Sequence, residues 1–210
     1  MNERWRLLLD QPRRGALNMA IDVALLERAL ADPATPPTLR LYAWDPACLS
    51  LGIGQRIDQV DSAALHEAGV DLIRRPTGGR AVLHADEVTY SLILPAGHPL
   101  TAGSIIDSCR RISAGLVAAL HLIGLAADAR PLDNRPLTPP SPVCFEAASD
   151  YEITASGRKL IGSAQMRRAG AVLQHGSLPL SGDPGAICQL LAYPDQSARA
   201  AAQTAVRTHA

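Results

Sequence analysis

The stretch DYEITASGRKLIGSAQMRRAGAVLQHGSLPL, Asp150 to Leu180, decides the fold. Asp150 to Thr154 reads as a strand and Ala155-Ser156-Gly157 as a turn. Lys159 to Arg167 is a second strand, Ala169-Gly170 a second turn, and Ala171 to Leu180 a third strand. Short glycine-containing links between extended runs are hairpin signals. The stretch is therefore expected to form a meander, so the sheet should be largely antiparallel.

Upstream, Arg130 to Pro142 carries five prolines. Each fixes φ and removes a backbone donor, so this span reads as an exposed loop leading to Cys144. Before it, Ser104 is placed to cap a long helix with Ile105, Cys109, Ile112, Leu116 and Ile123 on one stripe. Nearer the start, Met19, Val23, Leu26 and Leu30 recur at helical spacing, which predicts a helix over Leu17 to Leu30. Thr38 to Ala43 and Leu49 to Gly54 read as strands joined by Trp44-Asp45-Pro46. A short helix is expected at Ser62 to Ala68, and strands at Val70 to Arg75, Ala81 to His84 and Val88 to Leu94. The tail from Asp183 reads as one or two helices. No repeat and no second boundary appear, so the expectation is a single α+β domain over 1–210: a mixed, largely antiparallel sheet backed by helices, with a Pro-rich loop at 130–142 and a short helical tail.

The composition narrows the function. Hydrophobic residues make up 47% of the 210 and charged residues 19%, which suits a chain with its own core. Formal net charge is zero, which argues against a nucleic-acid binder, whose affinity comes mostly from neutralising phosphates. No apolar run reaches membrane-spanning length, and Met1 to Asp10 lacks a signal peptide's cleavage pattern. A cytoplasmic protein without membrane attachment is expected. The four cysteines, Cys48, Cys109, Cys144 and Cys188, form no CxxC pair, so no metal is expected.

Chemistry gathers in a few places. In Arg74-Arg75-Pro76-Thr77-Gly78-Gly79-Arg80, adjacent glycines allow close backbone approach, and successive N–H groups can form an anion nest. A tight turn with solvated arginines is the plainer reading. Cys144 stands at a loop-to-strand junction, where a thiol can be exposed, although burial is the commoner fate of cysteine. Its activation needs a cation or a base such as His84, His175 or Lys159. Lys159 is either an exposed hairpin lysine or a cation aimed into a cleft. His84 and His175 are either bases or satisfied structural histidines. No P-loop, GxSxG or HExxH is present.

These residues occur in one order. Asn18-Met19-Ala20-Ile21-Asp22 comes first, then Arg74 through His84, then Gly157-Arg158-Lys159-Leu160-Ile161-Gly162-Ser163-Ala164-Gln165, then Val172 through Leu178. The series resembles the lipoate–protein ligase A and octanoyltransferase families over nearly the whole chain. The resemblance implies the fold of the biotin and lipoate attachment enzymes. A cysteine within Val143 to Glu152 is similar to the thioester-forming branch, where ATP-using ligases carry Gly-Arg-Asn-Asp. It implies that Cys144 and Lys159 are catalytic, and that Arg74, Arg75, Thr77, Gly78, Gly79, Arg80, His84, Gly162, Ser163, Ala164 and His175 bind substrate. The implied reaction needs no cofactor. It takes octanoyl from octanoyl-acyl carrier protein to the lysine of a lipoyl domain, such as glycine cleavage H protein or a 2-oxo acid dehydrogenase E2. An apolar acyl tunnel near Leu72, Val82 and Leu92 is expected by analogy. An ATP-dependent lipoate ligase is the alternative. A non-catalytic or partner-dependent relative that binds lipoyl domains is a third reading, prompted by a helical tail shorter than the family's.

Overall fold

The computed structural model describes residues 3–129 and 153–209. Two sheets share the molecule. The larger has seven strands in the order β1-β2-β6-β10-β9-β8-β7, and the smaller has three in the order β4-β3-β5. The strands of the large sheet are β1 (Arg6–Leu9), β2 (Thr38–Tyr42), β6 (Glu87–Leu94), β7 (Asp128–Ala129), β8 (Ile153–Ala155), β9 (Arg158–Arg168) and β10 (Ala171–Pro179). The small sheet holds β3 (Cys48–Leu51), β4 (Asp71–Arg74) and β5 (Val82–His84). β1 with β2 and β3 with β4 are parallel; the other pairs are antiparallel. The fold is thus mixed α+β with antiparallel pairs predominating, as expected.

The meander forms as its turns dictate. Ser156 and Gly157 have φ of 50° and 77°, and Ala169 and Gly170 have 44° and 86°. Two successive residues at positive φ make the two-residue turn whose twist matches the flanking strands. Ala155 therefore pairs with Arg158, and Arg168 with Ala171. One irregularity follows. Thr154 pairs with Lys159 but Ile153 pairs with Ile161, so β9 carries one extra residue there. Such a bulge re-aims the side chains beside it.

The helices are α1 (Gly15–Ala31), α2 (Ser62–Glu67), α3 (Ile105–Leu122) and α4 (Gln196–His209), and α1 and α3 cover the two faces of the large sheet. Tyr90, Leu92 and Leu94 of β6 pack with Ile112 and Leu120 of α3, while Ile93 packs with Leu26 and Ala29 of α1. Strand alternation sends those two sets to opposite faces. The small sheet buries Leu49 and Leu51, with Ala81 just before β5, against Leu65 of α2, Val206 of α4 and Ile187 of the segment before α4. A 3-10 segment, Pro184–Leu190, leads into α4.

Several expectations need correction. Thr38 to Ala43 and Leu49 to Gly54 are strands as expected, though shifted in their bounds, and the turn between them carries the chain from the large sheet to the small one. Val23 of α1 is exposed, and the buried face runs through Asn18, Met19, Asp22 and Leu26. On α3, Ile105 and Ile123 are exposed because the sheet reaches only from Ser108 to Leu120. The Ser104 cap is present as expected, with Asp107 returning a hydrogen bond to close a capping box. The Pro-rich loop at 130–142, Cys144 and most of Asp150 to Thr154 lie outside the described residues.

Candidate active site

Register places the site before chemistry does. Ser91 is opposite His175, Thr89 is opposite Ser177, Ala164 is opposite His175 and Gly162 is opposite Ser177. Paired residues share a face. Against this face stand Met19 of α1, Tyr42, Trp44, and Ser50, Val82 and His84 of the small sheet, lining a pocket whose empty space, open solvent at its mouth included, is about 450 Å³. Of the expected tunnel residues only Val82 lines it. Leu92 packs under α3 and Leu72 under the small sheet. Met19, Tyr42 and Trp44 supply the apolar wall instead.

Two hydroxyl–imidazole–carboxylate chains border the pocket. In the first, Ser50 Oγ is 2.8 Å from His84 Nε2, and His84 Nδ1 is 2.8 Å from Glu87 Oε1. Glu87 also accepts from Trp44 Nε1 at 3.1 Å and from the hydroxyls of Thr89 and Ser177. The Trp44 indole stacks on His84, with ring centroids 4.0 Å apart. Burial works against a charged Glu87, but the pull of His84 and the hydrogen bonds from His84, Ser177 and Thr89 hold its carboxyl below the ordinary range.

In the second chain, Thr77 Oγ1 is 2.6 Å from His175 Nε2, and His175 Nδ1 is 3.4 Å from Asp22 Oδ2. Asp22 is fully buried and accepts from Arg40 Nη1 at 2.8 Å, Ser91 Oγ at 2.7 Å and Tyr42 OH at 3.1 Å. Burial opposes its charge, yet His175, Ser91 and Arg40 together hold its carboxyl below the ordinary range. Burial pushes the His175 imidazole down, more than Asp22 pulls it up. His175 is thus neutral near pH 7, donating to Asp22 and accepting the Thr77 hydroxyl.

The glycine loop is held from beneath. Arg75 is buried and donates to the carbonyls of Ser50, Gly78 and Arg80, and to Ser50 Oγ. Arg74 donates to the carbonyls of Gly52, Ile53 and Gln55. Both guanidinium groups thus clamp backbone, and Arg75, with Gly79, also lines the pocket, whereas Arg74 does not. Gly78 and Gly79 are exposed, and Gly79 has φ of 90°. A Cβ on Gly52 would come within 2.0 Å of Gly79 O, so the two loops touch through backbone alone. Arg80 is half-buried at the end of the loop.

Along β9, Gly162, Ser163 and Ala164 line the pocket, while Arg158, Lys159 and Leu160 line a second, larger cleft. Lys159 is 6% exposed, so the exposed-hairpin reading does not hold for it. Ser163 Oγ is 2.8 Å from Tyr90 OH. The other cysteines are placed for packing. Burial, with Asp71 and Glu87 nearby, pushes the Cys48 thiol up to about 12, and Cys188 is fully buried. Cys109 is half-buried, and burial raises its pKa too. Thiols so shifted are poor nucleophiles.

Sequence reasoning missed Asp22, Ser50, Trp44, Glu87, Thr89 and Ser177 as site residues. Asp22 stood inside a quoted motif, and a polar residue on the apolar face of an amphipathic helix was the signal available. Trp44 was hidden by the turn around it.

Among the described residues no helix is long and apolar enough to cross a membrane. A family profile described as lipoyl protein ligase A/B catalytic domain matches residues 14–210. An octanoyltransferase LipM of Kyrpidia tusciae is 44% identical over 99% of this chain and 77% of its own length. One from Moorella thermoacetica is 44% identical over 94% of this chain and 72% of its own. Among solved structures, a lipoate-protein ligase A bound with ATP superposes with a TM-score of 0.74 at 26% identity, covering 95% of this chain and 74% of that one. A bipartite lipoate protein ligase from Thermoplasma acidophilum shares the fold, with a TM-score of 0.77 at 24% identity over 98% of this chain and 73% of its own. This chain belongs to the lipoyl protein ligase A/B catalytic-domain family.

Proposed function

We propose that this protein is an octanoyltransferase of lipoate biosynthesis, taking octanoyl from octanoyl-acyl carrier protein to the lysine of a lipoyl domain. The observation that carries the reading is the 44% identity to two octanoyltransferases over nearly the whole chain. The geometry supports it. A pocket walled by Met19, Tyr42, Trp44 and Val82 suits a short acyl chain, and Lys159 lines the neighbouring cleft, on the same strand as the pocket residues Gly162, Ser163 and Ala164. We read the described residues as one catalytic unit.

In this reading the Cys144 thiolate attacks the thioester carbonyl, and the carrier leaves as a thiolate that takes a proton from solvent. Octanoyl is then held as an enzyme thioester. The acceptor lysine, as a neutral amine, attacks next, an amide forms, the Cys144 thiolate departs, and the proton lost by the amine returns to solvent. Thioester exchange is near balance and amide formation is downhill, so no ATP is consumed. Cys144 is assigned from the sequence. Lys159 stabilises the developing negative charge on the carbonyl oxygen. The imidazoles of His84 and His175 have both ring nitrogens committed, so we assign them to shaping the pocket rather than to carrying the proton.

The test is transfer to a purified lipoyl domain with ATP omitted. The expected result is a mass gain of one octanoyl group on the acceptor lysine. Transfer that requires ATP and a free acid would place the protein with the ligases. Binding of the lipoyl domain without transfer under either condition would make it a non-catalytic relative.

A further inference from the structure

The pocket runs across the strands of the large sheet, not along them. Tyr42 of β2 pairs with Thr89 of β6, Thr89 with Ser177 of β10, and Ser177 with Gly162 of β9. All four residues line the pocket, so it crosses four neighbouring strands in one row. Three strand spacings separate Gly162 from Tyr42, roughly 14 Å. The two ends differ in chemistry. Lys159 precedes Gly162 on β9 and lines the neighbouring cleft. At the β2 end, Met19, Tyr42, Trp44 and Cys48 form a buried apolar cluster. An acyl chain therefore enters over Gly162, where no side chain obstructs it, and points its methyl end at Met19, Tyr42 and Trp44.

The end wall is anchored except at one residue. The Tyr42 hydroxyl donates to Asp22 at 3.1 Å, and the Arg40 guanidinium lies 3.9 Å from the Tyr42 ring centroid. Trp44 donates to Glu87 and Thr89 and stacks on His84. Behind the wall, Gly15 packs so tightly on Cys48 that a Cβ there would strike its sulfur. Met19 is held differently. Its backbone is fixed through its neighbour, because Asn18 donates to the carbonyls of Arg13 and Ala43 and accepts from Arg40. Its side chain is buried and unbranched, and a thioether packs by dispersion and adapts to the shape it touches.

Resting on the transferase reading, we propose that Met19 sets the length of the acyl chain this enzyme transfers. With C–C bonds of about 1.5 Å, an extended eight-carbon chain spans roughly 9 Å. The side chains of the end wall take up the rest of the row. A longer chain meets Met19 before its carbonyl is seated at the Lys159 end, and a shorter one leaves the end wall without contact. One methylene gained or lost in an apolar pocket changes discrimination by about 10- to 200-fold.

The experiment measures transfer to a lipoyl domain from hexanoyl-, octanoyl-, decanoyl- and dodecanoyl-acyl carrier protein, one donor at a time, with the full chain. The wild-type protein is expected to prefer octanoyl. Met19→Ala removes the thioether arm and should raise the decanoyl-to-octanoyl ratio of kcat/KM by about tenfold or more. Met19→Phe fills the same end and should raise the hexanoyl-to-octanoyl ratio by a like factor. Opposite shifts from one position do not arise from a general loss of stability, and either variant carries the test if the other does not fold. Tyr42→Phe, which keeps the ring and loses the hydroxyl, should keep the octanoyl preference. An unchanged chain-length profile in both Met19 variants, with transfer retained, would overturn the assignment and leave the transferase reading standing, as would a wild-type protein indifferent to chain length. A Tyr42→Phe profile shifted like that of Met19→Ala would give the gauge to Tyr42 and overturn it too. No transfer from any of the four donors would overturn both readings.

Discussion

His84 and His175 face one pocket, each held between a hydroxyl and a carboxylate, yet the two carboxylates are held by different chemistry. Asp22, behind His175, sits 2.8 Å from a fully buried arginine. Glu87, behind His84, is held by the indole of Trp44, by Thr89 and Ser177, and by His84 itself. One half of the pocket is therefore anchored by a buried ion pair that ties α1 to β2. The other is anchored by hydrogen bonds to Glu87 from His84, Trp44, Thr89 and Ser177 around a stacked ring. Removing Arg40 takes from buried Asp22 its arginine, whereas removing the Trp44 N–H leaves Glu87 one hydrogen bond short with its other donors in place.

That difference predicts unequal costs. Arg40→Met leaves Asp22 buried without its nearest cation and should lower stability by about 3–5 kcal/mol, read from denaturant midpoints. Trp44→Phe keeps a ring beside His84 but removes the N–H that serves Glu87 and Thr89, and should cost about 1–3 kcal/mol. Equal losses in the two variants would erase the distinction. Gly52→Ala probes where the halves meet, since its Cβ would press on Gly79 O at 2.0 Å. We expect a loss of about 1–3 kcal/mol from this overpacking. Octanoyl transfer should fall too, because the loop bearing Thr77 must shift; unchanged transfer would separate that loop from the site.

The smallest effect is on pH dependence. The folded-state pKa of His175 lies below its ordinary value of 6.5, so the unfolded chain binds its proton first as pH falls. Its contribution to stability is present above about 6.5 and is lost as pH falls toward the folded-state value. The slope is at most about 1.4 kcal/mol per pH unit for one proton. The depressed carboxyls of Asp22 and Glu87 act with the same sign at lower pH. Stability of His175→Gln should therefore be flatter with pH just below neutrality. An unchanged slope in that variant would move the proton linkage to another group.

The sequence showed the meander because its turns carry their own instructions. Gly157 and Gly170 take positive φ at no steric cost, and Ser156 and Ala169 join them there to complete the two-residue turns. The border between the two sheets was less legible. Thr38 to Tyr42 and Cys48 to Leu51 are neighbours in sequence, and nothing local says that they part to join different sheets. The buried ion pair was hidden for a similar reason. Asp22 and Arg40 look like surface residues until α1 lies across β2. The apolar stripe of α3 was overextended because spacing predicts a face and not how far the partner sheet reaches. The loop arginines were read toward a ligand; their hydrogen bonds go largely to carbonyls of their own and neighbouring loops, and Arg75 also lines the pocket.

The central claim is that octanoyl passes through a thioester on Cys144 without ATP. Its most direct measurement is the intact mass of the purified protein after incubation with octanoyl-acyl carrier protein alone. The account predicts a gain of one octanoyl group that hydroxylamine removes and that Cys144→Ala does not acquire. An acylated Cys144→Ala variant would contradict it, as would an unmodified wild-type protein that transfers acyl groups only when ATP and a free acid are supplied.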